Sequence, residues 1–249
     1  MSIETPLKNK IQHKLGLESI QTQSPTLTNT FLYKTAHAAA HDLRSPLFVI
    51  RSYGHLLQKT QEKERLQRGF KLMEEATYRM EKTINEYVGL MDIYTTPFPQ
   101  KEIVSFESAF ESACHGLERL INQVQPKIST NFNTYPRVSF NKKYLIYIIT
   151  YLVDNAIRHN VGKEDLQIKV SSKKIGNDLV LIVQDNGKGI EDAKEQEKIK
   201  DAFYSYSEDQ ECIGMGLPKV QAIAQVSQNM FNIQSQPQQF TSCHFVFKN

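Results

Sequence analysis

The sequence predicts two domains: an all-α helical hairpin that pairs into a dimeric four-helix bundle, followed by an α+β sandwich with helices over one sheet. Apolar residues recur at heptad spacing through residues 29–93, which predicts two long helices. The prolines of "TTPFP" then end the second helix. After them, helical and strand patterns mix without strict alternation, which is typical of an α+β domain. We therefore expect domains over 29–95 and 100–249, after an N-terminal arm or linker over 1–28.

Composition and charge narrow the class of protein. The chain has 249 residues, 40% of them hydrophobic, which is enough to build cores. A net charge of +3 gives no indication of a nucleic acid partner, and three cysteines without a CxxC pair favour a reducing compartment. No apolar run approaches the roughly 20 residues that span a bilayer, and a signal peptide is not evident. We expect a soluble cytoplasmic protein without membrane insertion.

Each predicted helix carries one apolar seam with steps of three and four residues. The first seam consists of Leu32, Ala36, Ala39, Leu43, Leu47, Ile50, Gly54 and Leu57. The second consists of Leu66, Phe70, Met73, Thr77, Met80, Ile84, Tyr87 and Met91. A lone hairpin cannot bury both seams well, so the pattern favours a homodimer. Packing of the hairpin on its own C-terminal domain is the alternative.

The second domain is predicted to alternate irregularly between helices and strands. Its predicted elements are a helix over 105–124, a strand over 137–140, a helix over 142–159, two strands around a Gly-Asn-Asp turn, a helix over 216–229 and a closing strand over 242–248.

One candidate ligand contact lies in "VQDNGKGI", residues 183–190. Asp185 ends an apolar strand, where a fixed carboxylate suits an exocyclic amine such as that of adenine. Gly187 and Gly189 permit positive φ and close approach of the backbone to a ligand. A plain Asn-Gly turn is the alternative for this stretch alone.

A second glycine-rich stretch, "GMGLPKV" over residues 214–220, opens a helix. Backbone N–H groups at such a helix N-terminus can hold phosphate oxygens. A turn of small residues is the alternative.

The stretch "YLVDNAIRHN", residues 151–160, places Asn155 in the middle of a helix amid apolar neighbours. Its amide oxygen can ligate Mg²⁺, and Arg158 and His159 lie about one turn further on, where they can meet phosphates. A hydrogen-bonded core asparagine is the alternative.

A fourth stretch, "HDLRSPL", places His41, Asp42, Arg44 and Pro46 in an otherwise apolar helix. Pro46 lacks the N–H that would bond to the carbonyl of Asp42, so we expect the helix to bend there. His41 lies off the predicted seam and is expected to point outward. His37 lies one turn before it, but no third ligand for a metal is evident.

Taken in order after a helical hairpin, these stretches resemble the sensor histidine kinases of two-component signalling. "HDLRSPL" resembles the H box, "DNAIRHN" the N box, "DNGKGI" the G1 box, "GMGL" the G2 box and "DAFYSYS" (201–207) a weak F box. The resemblance implies a dimerisation and phosphoacceptor hairpin joined to a gyrase-type (Bergerat-type) ATP-binding sandwich. It implies autophosphorylation from ATP, relay to an Asp in the receiver domain of a response regulator, and dephosphorylation of that regulator as an additional activity.

The resemblance also implies roles for individual residues. His41 matches the phosphoryl acceptor, Asp42 the acidic neighbour that orients its ring and accepts its proton, and Ser45 the position implicated in removing phosphate from the regulator. Asn155 matches the Mg²⁺ ligand and Asp185 the adenine contact. The implied nucleotide site consists of Asn155, Arg158, His159, Asp185, Gly187, Gly189, Ile190, Gly214, Gly216 and Leu217.

Some positions depart from the family pattern. Tyr151 stands where hydrolytic relatives carry a water-activating Glu, which disfavours ATP hydrolysis as the main output. Ser205, Cys212 and Pro218 also differ from the usual residues and indicate slower use of ATP. The alternative functions are therefore a degenerate kinase that acts as a histidine phosphotransfer protein, and a regulator-binding scaffold.

Overall fold

A computed structural model of the chain describes residues 25–191 and 214–248. The structure forms two compact units. Among the described residues, the first comprises 25–97 with 214–215, and the second comprises 98–191 and 216–248. The first unit is a helical hairpin and the second mixes helices with β-sheet, as the sequence predicts. Within the described ranges, no helix combines the length and the hydropathy needed to cross a bilayer.

The hairpin consists of two helices of 33 residues each, α1 over Pro25–Leu57 and α2 over Lys63–Thr95. Helix α1 therefore begins before the predicted start at residue 29, and it continues through Pro46 without interruption. Helix α2 ends where Thr96 becomes extended, as expected next to a proline.

The buried face of α2 differs in part from the predicted seam. Its fully buried positions include a second heptad series of mostly small residues: Gly69, Ala76, Thr83 and Leu90. Tyr87 of the predicted seam is also buried, whereas Phe70 and Ile84 are exposed. Small residues let α1 approach closely, since a Cβ at Gly69 would lie 2.6 Å from a methyl of Leu57. Heptad spacing alone does not distinguish two neighbouring series of this kind. Burial of the predicted seam by a second hairpin stays a prediction.

Among its described residues, the second unit contains four helices, a two-stranded antiparallel sheet and a five-stranded mixed sheet. Its elements are β1 (Glu102–Ser105), α3 (Phe106–Gly116), α4 (Glu118–Val124), β2 (Lys127–Asn131), β3 (Arg137–Phe140), α5 (Lys142–Arg158), β4 (Gln167–Ile175), β5 (Asp178–Asp185), α6 (Gly216–Val226), β6 (Met230–Gln236) and β7 (Phe240–Phe247). The main sheet has the order β2-β4-β5-β7-β6, with only the β2–β4 pair parallel, and β1 pairs with β3 separately.

Most of the predicted elements of this unit are confirmed, with two differences. The predicted helix over 105–124 is two helices that meet at Leu117, and strands β1, β2 and β6 had not been predicted. Strand β1 has only four residues and β2 is mostly exposed, so these two strands carry little periodic signal.

The core of this unit lies between the main sheet and the helices. Helix α5 presents an apolar face that is fully buried, including Ile148, Ile149 and Val153, and it packs against β5 and α6. Phe140 and Phe245 add an aromatic contact with a centroid separation of 5.8 Å. This packing places the carboxyl end of β5 beside the C-terminal turn of α5, and the candidate nucleotide site begins there.

Candidate functional site

The hairpin carries the candidate phosphoacceptor, His41, on α1. Its side chain is 73% exposed, so the ring is open to a reactant, as the sequence predicts. Nδ1 of His41 lies 3.2 Å from Oδ1 of Asp42, which leaves Nε2 as the nitrogen directed away from the carboxylate. In a neutral imidazole only the unprotonated nitrogen is nucleophilic, so this contact favours reaction at Nε2.

Asp42 is held by a second contact that the sequence does not predict. The Tyr87 hydroxyl on α2 donates to Oδ2 of Asp42 over 2.7 Å. Burial, followed by the hydrogen bond and the charge of Asp42, raises the pKa of Tyr87 above its ordinary value, so the hydroxyl remains a donor. A tyrosine within an apolar seam was the signal available in the sequence, because a buried hydroxyl requires a partner.

The other polar residues of this part of α1 are also at the surface. Ser45 and Arg44 are exposed one turn beyond His41. His37 is exposed as well, with its ring centroid 6.3 Å from that of Tyr33. Over the described ranges, no group of three or more His, Cys, Asp or Glu residues is arranged to hold a metal ion.

Asp185 forms the centre of the candidate nucleotide site in the second unit. Its side chain ends β5 and is 6% exposed. Oδ1 accepts hydrogen bonds from the Gly187 N–H at 2.9 Å and from Asn160 Nδ2 at 3.1 Å. Burial raises the pKa of the Asp185 carboxyl, and the bonds from Gly187, Asn160 and the backbone of Thr241 oppose that rise. The carboxylate is therefore held in one orientation and can accept from a ligand amine.

Asn160, for which the sequence predicts no role, holds the loop after β5 in place. Its Nδ2 donates to the Ala156 carbonyl and to Asp185, while its Oδ1 accepts from the Lys188 N–H at 3.0 Å. The residue is 7% exposed, so each of these bonds replaces water that is excluded. A Cβ at Gly187 would overlap the Asn160 amide, which explains the glycine at that position.

The remainder of the G1 stretch is fixed by the β6–β7 hairpin. Gly189 has φ +68° and lies so close to the Gln236 carbonyl that a side chain has no room. The Ile190 N–H donates to Ser235 Oγ over 2.9 Å, and the Lys188 carbonyl accepts from the Gln238 N–H. The structure thus brings Asp185, Gly189 and Ile190 together on one turn, which hydrogen bonds to the β6–β7 hairpin hold in place.

Helix α5 and its C-cap residue carry the three other candidates from the N box. Asn155 is half-buried, and its carbonyl accepts the N–H of His159. The Arg158 Nε lies 2.9 Å from both carboxylate oxygens of Asp154, so this guanidinium already has an anionic neighbour. The phosphate and Mg²⁺ roles of these residues remain predictions.

The described part of the G2 stretch begins α6. Gly216 is the first residue of the helix, and a Cβ there would overlap the ring of Tyr151. Leu217 is half-buried, and Gly214 has φ +71°. The stretch 201–207 and Cys212 lie outside the described residues. An aromatic ring therefore packs beside the start of α6, where the resemblance implies phosphate binding.

Two family models match the chain in the order of its two units. Residues 33–91 match the His Kinase A (phospho-acceptor) domain. Residues 141–249 match the histidine kinase-, DNA gyrase B- and HSP90-like ATPase family, an ATP-binding domain.

The chain is also similar to curated proteins that are named histidine kinases. The methanogenesis regulatory histidine kinase FilI of Methanothrix harundinacea is 26% identical over 92% of this chain and 25% of its own length. The signal transduction histidine-protein kinase ArlS of Staphylococcus haemolyticus is 24% identical over 97% of this chain and 57% of its own length. The chain thus spans only a quarter to somewhat over half of these relatives.

Among solved structures, histidine kinase ThkA in complex with the response regulator protein TrrA has a TM-score of 0.68 at 15% identity, covering 99% of this chain and 67% of that chain. At this identity the similarity shows the fold. The matched phosphoacceptor and ATPase domains, with kinases as relatives, show that this chain belongs to the sensor histidine kinase family. The predicted family is confirmed, and so is the predicted order of a helical unit followed by a unit of helices and sheet. The pairing of two hairpins into a four-helix bundle stays a prediction.

Proposed function

We propose that this chain autophosphorylates on His41 from ATP and relays the phosphoryl group to an Asp in the receiver domain of a response regulator. The observation that carries the proposal is the exposed His41 ring with Asp42 at its Nδ1, within the matched phosphoacceptor domain. The second unit supplies the matched ATPase domain with its buried Asp185.

The chemistry follows from the arrangement at His41. The Nε2 lone pair attacks the γ-phosphorus of ATP, the bond from that phosphorus to the β,γ-bridging oxygen breaks, and ADP leaves with the electron pair. The proton on Nδ1 passes to the Asp42 carboxylate, whose Oδ1 lies 3.2 Å away. Phosphoryl transfer depends mainly on position and charge neutralisation, so these two side chains suffice on the acceptor side.

The nucleotide side would use the polar groups around β5 and α5. The Asp185 carboxylate accepts from the adenine amine, and the N–H groups at the start of α6 face phosphate oxygens. The half-buried Asn155 amide suits Mg²⁺, which commonly takes one or two protein oxygens and completes its shell with phosphates and water. Bound Mg²⁺ would neutralise phosphate charge during the transfer.

The hairpin surface supports a homodimer. Helix α2 leaves Phe70, Ile84 and Val88 exposed along one face, and α1 leaves Leu47 exposed. Contiguous apolar residues on a two-helix hairpin are buried when two hairpins form a four-helix bundle. We therefore propose a second copy of this chain as the partner of that face.

A response regulator is the proposed second partner. The structurally similar ThkA was solved with the response regulator TrrA. In this chain the exposed Ser45 lies one turn beyond His41, where a docked receiver would meet it, and we propose that it takes part in dephosphorylating the regulator.

The proposal is tested by incubating the chain with Mg-ATP labelled at the γ-phosphate. We expect phosphate that is labile to acid and stable to base, and we expect its complete loss in His41→Gln. His37→Gln is the matched control, since His37 is exposed one turn away on the same helix, and it should retain labelling. Equal labelling of His41→Gln would contradict the proposal.

A histidine phosphotransfer protein is the second candidate, and the position of Tyr151 favours it. Its ring packs against Gly216 at the start of α6, beside the proposed phosphate site. Under this alternative His41 takes a phosphoryl group from a phosphorylated receiver domain but not from ATP. Assaying both donors with the same His41→Gln and His37→Gln pair separates the two functions.

A further inference from the structure

We propose that Tyr87 is a positioning residue for the phosphoacceptor: its hydroxyl anchors the Asp42 carboxylate so that His41 keeps its proton on Nδ1 and presents an unprotonated Nε2. This inference rests on the proposed autophosphorylation and adds to it a residue from the second helix of the hairpin.

The anchor is needed because His41 and Asp42 are consecutive residues of one helix. Side chains at positions i and i+1 point in different directions around a helix and do not naturally face each other. The pair is also at the surface, with 73% of the His41 side chain and 42% of the Asp42 side chain exposed. Exposed ion pairs and hydrogen bonds of this kind contribute little by themselves and do not hold a rotamer.

Tyr87 holds the Asp42 carboxylate from the second helix. Its ring is 7% exposed in the α1–α2 interface, and its hydroxyl lies 2.7 Å from Oδ2 of Asp42. The other oxygen, Oδ1, lies 3.2 Å from Nδ1 of His41. The carboxylate is therefore contacted at both oxygens, by a buried donor on one helix and by the reactive ring on the other.

The hydroxyl stays a donor throughout the reaction. Burial raises the pKa of Tyr87, and the neighbouring carboxylate raises it further, so the group does not ionise under assay conditions. When Asp42 takes up the Nδ1 proton on Oδ1, Oδ2 becomes the carbonyl oxygen of a neutral acid and continues to accept from Tyr87. The contact therefore persists from the resting state to the phosphohistidine product.

A buried tyrosine that simply satisfies its hydroxyl is the competing explanation. The two explanations differ in what happens at the imidazole. A purely structural Tyr87 affects hairpin stability without changing the tautomer of His41, whereas a positioning Tyr87 changes the tautomer even when the fold is intact.

The first test is the tautomer of His41 in the full chain, measured with ¹⁵N-labelled histidine in long-range ¹H–¹⁵N correlation spectra at about pH 8, where histidines are mostly neutral. The His41 signal is identified by its absence in His41→Gln. We expect the Nδ1–H form in the wild-type chain and a shift toward the Nε2–H form, which free imidazole side chains prefer, in Tyr87→Phe and in Asp42→Ala. An unchanged His41 tautomer in Tyr87→Phe overturns the inference.

Tyr78→Phe is the matched control, because it removes an exposed hydroxyl from the same helix. It should retain the wild-type tautomer. Thermal unfolding followed by circular dichroism checks that each variant is folded, and Tyr87→Phe keeps the buried ring, so the hairpin interface loses only the hydroxyl.

The second test is a double-mutant cycle on the autophosphorylation rate. We expect Tyr87→Phe alone to lower the rate about tenfold and Asp42→Ala to lower it about a hundredfold. In the Asp42→Ala background, adding Tyr87→Phe should change the rate less than about twofold, because the contact through which it acts is gone. A full tenfold loss in that background overturns the inference in favour of a structural role.

The two tests separate this inference from the proposed function. If the wild-type chain takes no phosphate from ATP, autophosphorylation fails as a proposal, and the tautomer spectra still decide whether Tyr87 orients the His41 ring. If labelling occurs but the Tyr87→Phe spectrum matches the wild-type spectrum, only the positioning role fails.

Discussion

The hairpin and the sheet domain each orient one candidate functional side chain, and they do so in opposite ways. His41 is at the surface, and its orientation depends on a short chain of hydrogen bonds through Asp42 to Tyr87. Asp185 is buried and is oriented by Asn160 and the backbone around it. Under the proposed function His41 has to meet both a nucleotide and a regulator, so its ring has to stay exposed. The proposed contact of Asp185 with adenine is stronger when water is excluded, so Asp185 can be buried.

The two regions also differ in how complete their cores are. The sheet domain buries large side chains of its own, including Phe106, Phe140 and Phe245. The hairpin buries small residues such as Gly69, Ala76 and Thr83 beside a few large ones, and it leaves Phe70 and Ile84 exposed. The exposed apolar residues of the hairpin fit the proposed pairing with a second copy, whereas the sheet domain encloses its own large side chains.

The largest effect is expected from a charge placed on the exposed face of the hairpin. In Ile84→Lys, dimerisation would bury an unpaired ammonium group, so we expect the dimer dissociation constant to rise about a hundredfold or more. Sedimentation equilibrium measures it. Tyr78→Lys is the matched control on a polar face of the same helix and should remain dimeric. If the wild-type chain is a monomer, or if Ile84→Lys dimerises with unchanged affinity, the proposed pairing of the hairpin through this face is contradicted.

An intermediate effect is expected from Asp185→Asn in the sheet domain. The amide keeps an oxygen for Asn160 and Gly187 but turns an N–H₂ group toward the adenine amine, so two donors meet. We expect nucleotide affinity to fall about tenfold in calorimetry with a non-hydrolysable ATP analogue. Burial already disfavours the ionised form of Asp185. Removing its charge should therefore not lower the free energy of unfolding.

Asp178→Asn provides the control for that substitution. Asp178 lies at the opposite end of β5 and pairs with Lys248 Nζ at 2.6 Å. It should bind the analogue with wild-type affinity. Equal losses in the two variants would mean that the effect of Asp185→Asn is not local to the candidate site.

The smallest effect is expected from pH. Because the folded pKa of Asp185 is raised, its carboxylate takes up a proton at a higher pH than an ordinary Asp does. The adenine contact is complete above that range and weakens as pH falls through it, so we expect nucleotide affinity to fall severalfold at most as pH is lowered from neutrality. Cys243 does not contribute, since burial and the charge of Asp185 raise its thiol pKa to about 12.

Asp185→Asn is the reference for the pH series, because titration of the nucleotide phosphates affects both proteins equally. The wild-type chain should lose more affinity than the variant over the same pH interval. Parallel curves would show that Asp185 does not titrate in the site.

Much of the candidate site could be predicted because its residues are close together in the chain. The Asp185-to-Ile190 turn and the His41–Asp42 pair are local patterns, and Gly189 has the positive φ that the pattern predicts. Asn160 and Tyr87 were missed as functional groups. Their partners lie 25 and 45 residues away, and nothing in local spacing identifies such pairs.

By itself the sequence determined the family, the two long helices and the exposed position of His41, because motif order and heptad period are properties of the chain. The tertiary structure decided which heptad series of α2 faces α1, and with it that Tyr87 reaches Asp42. The physical reason is that periodicity specifies the spacing of a buried stripe but not its rotation about the helix axis. That rotation is set by packing, here by small residues such as Gly69 and Ala76 that admit the neighbouring helix.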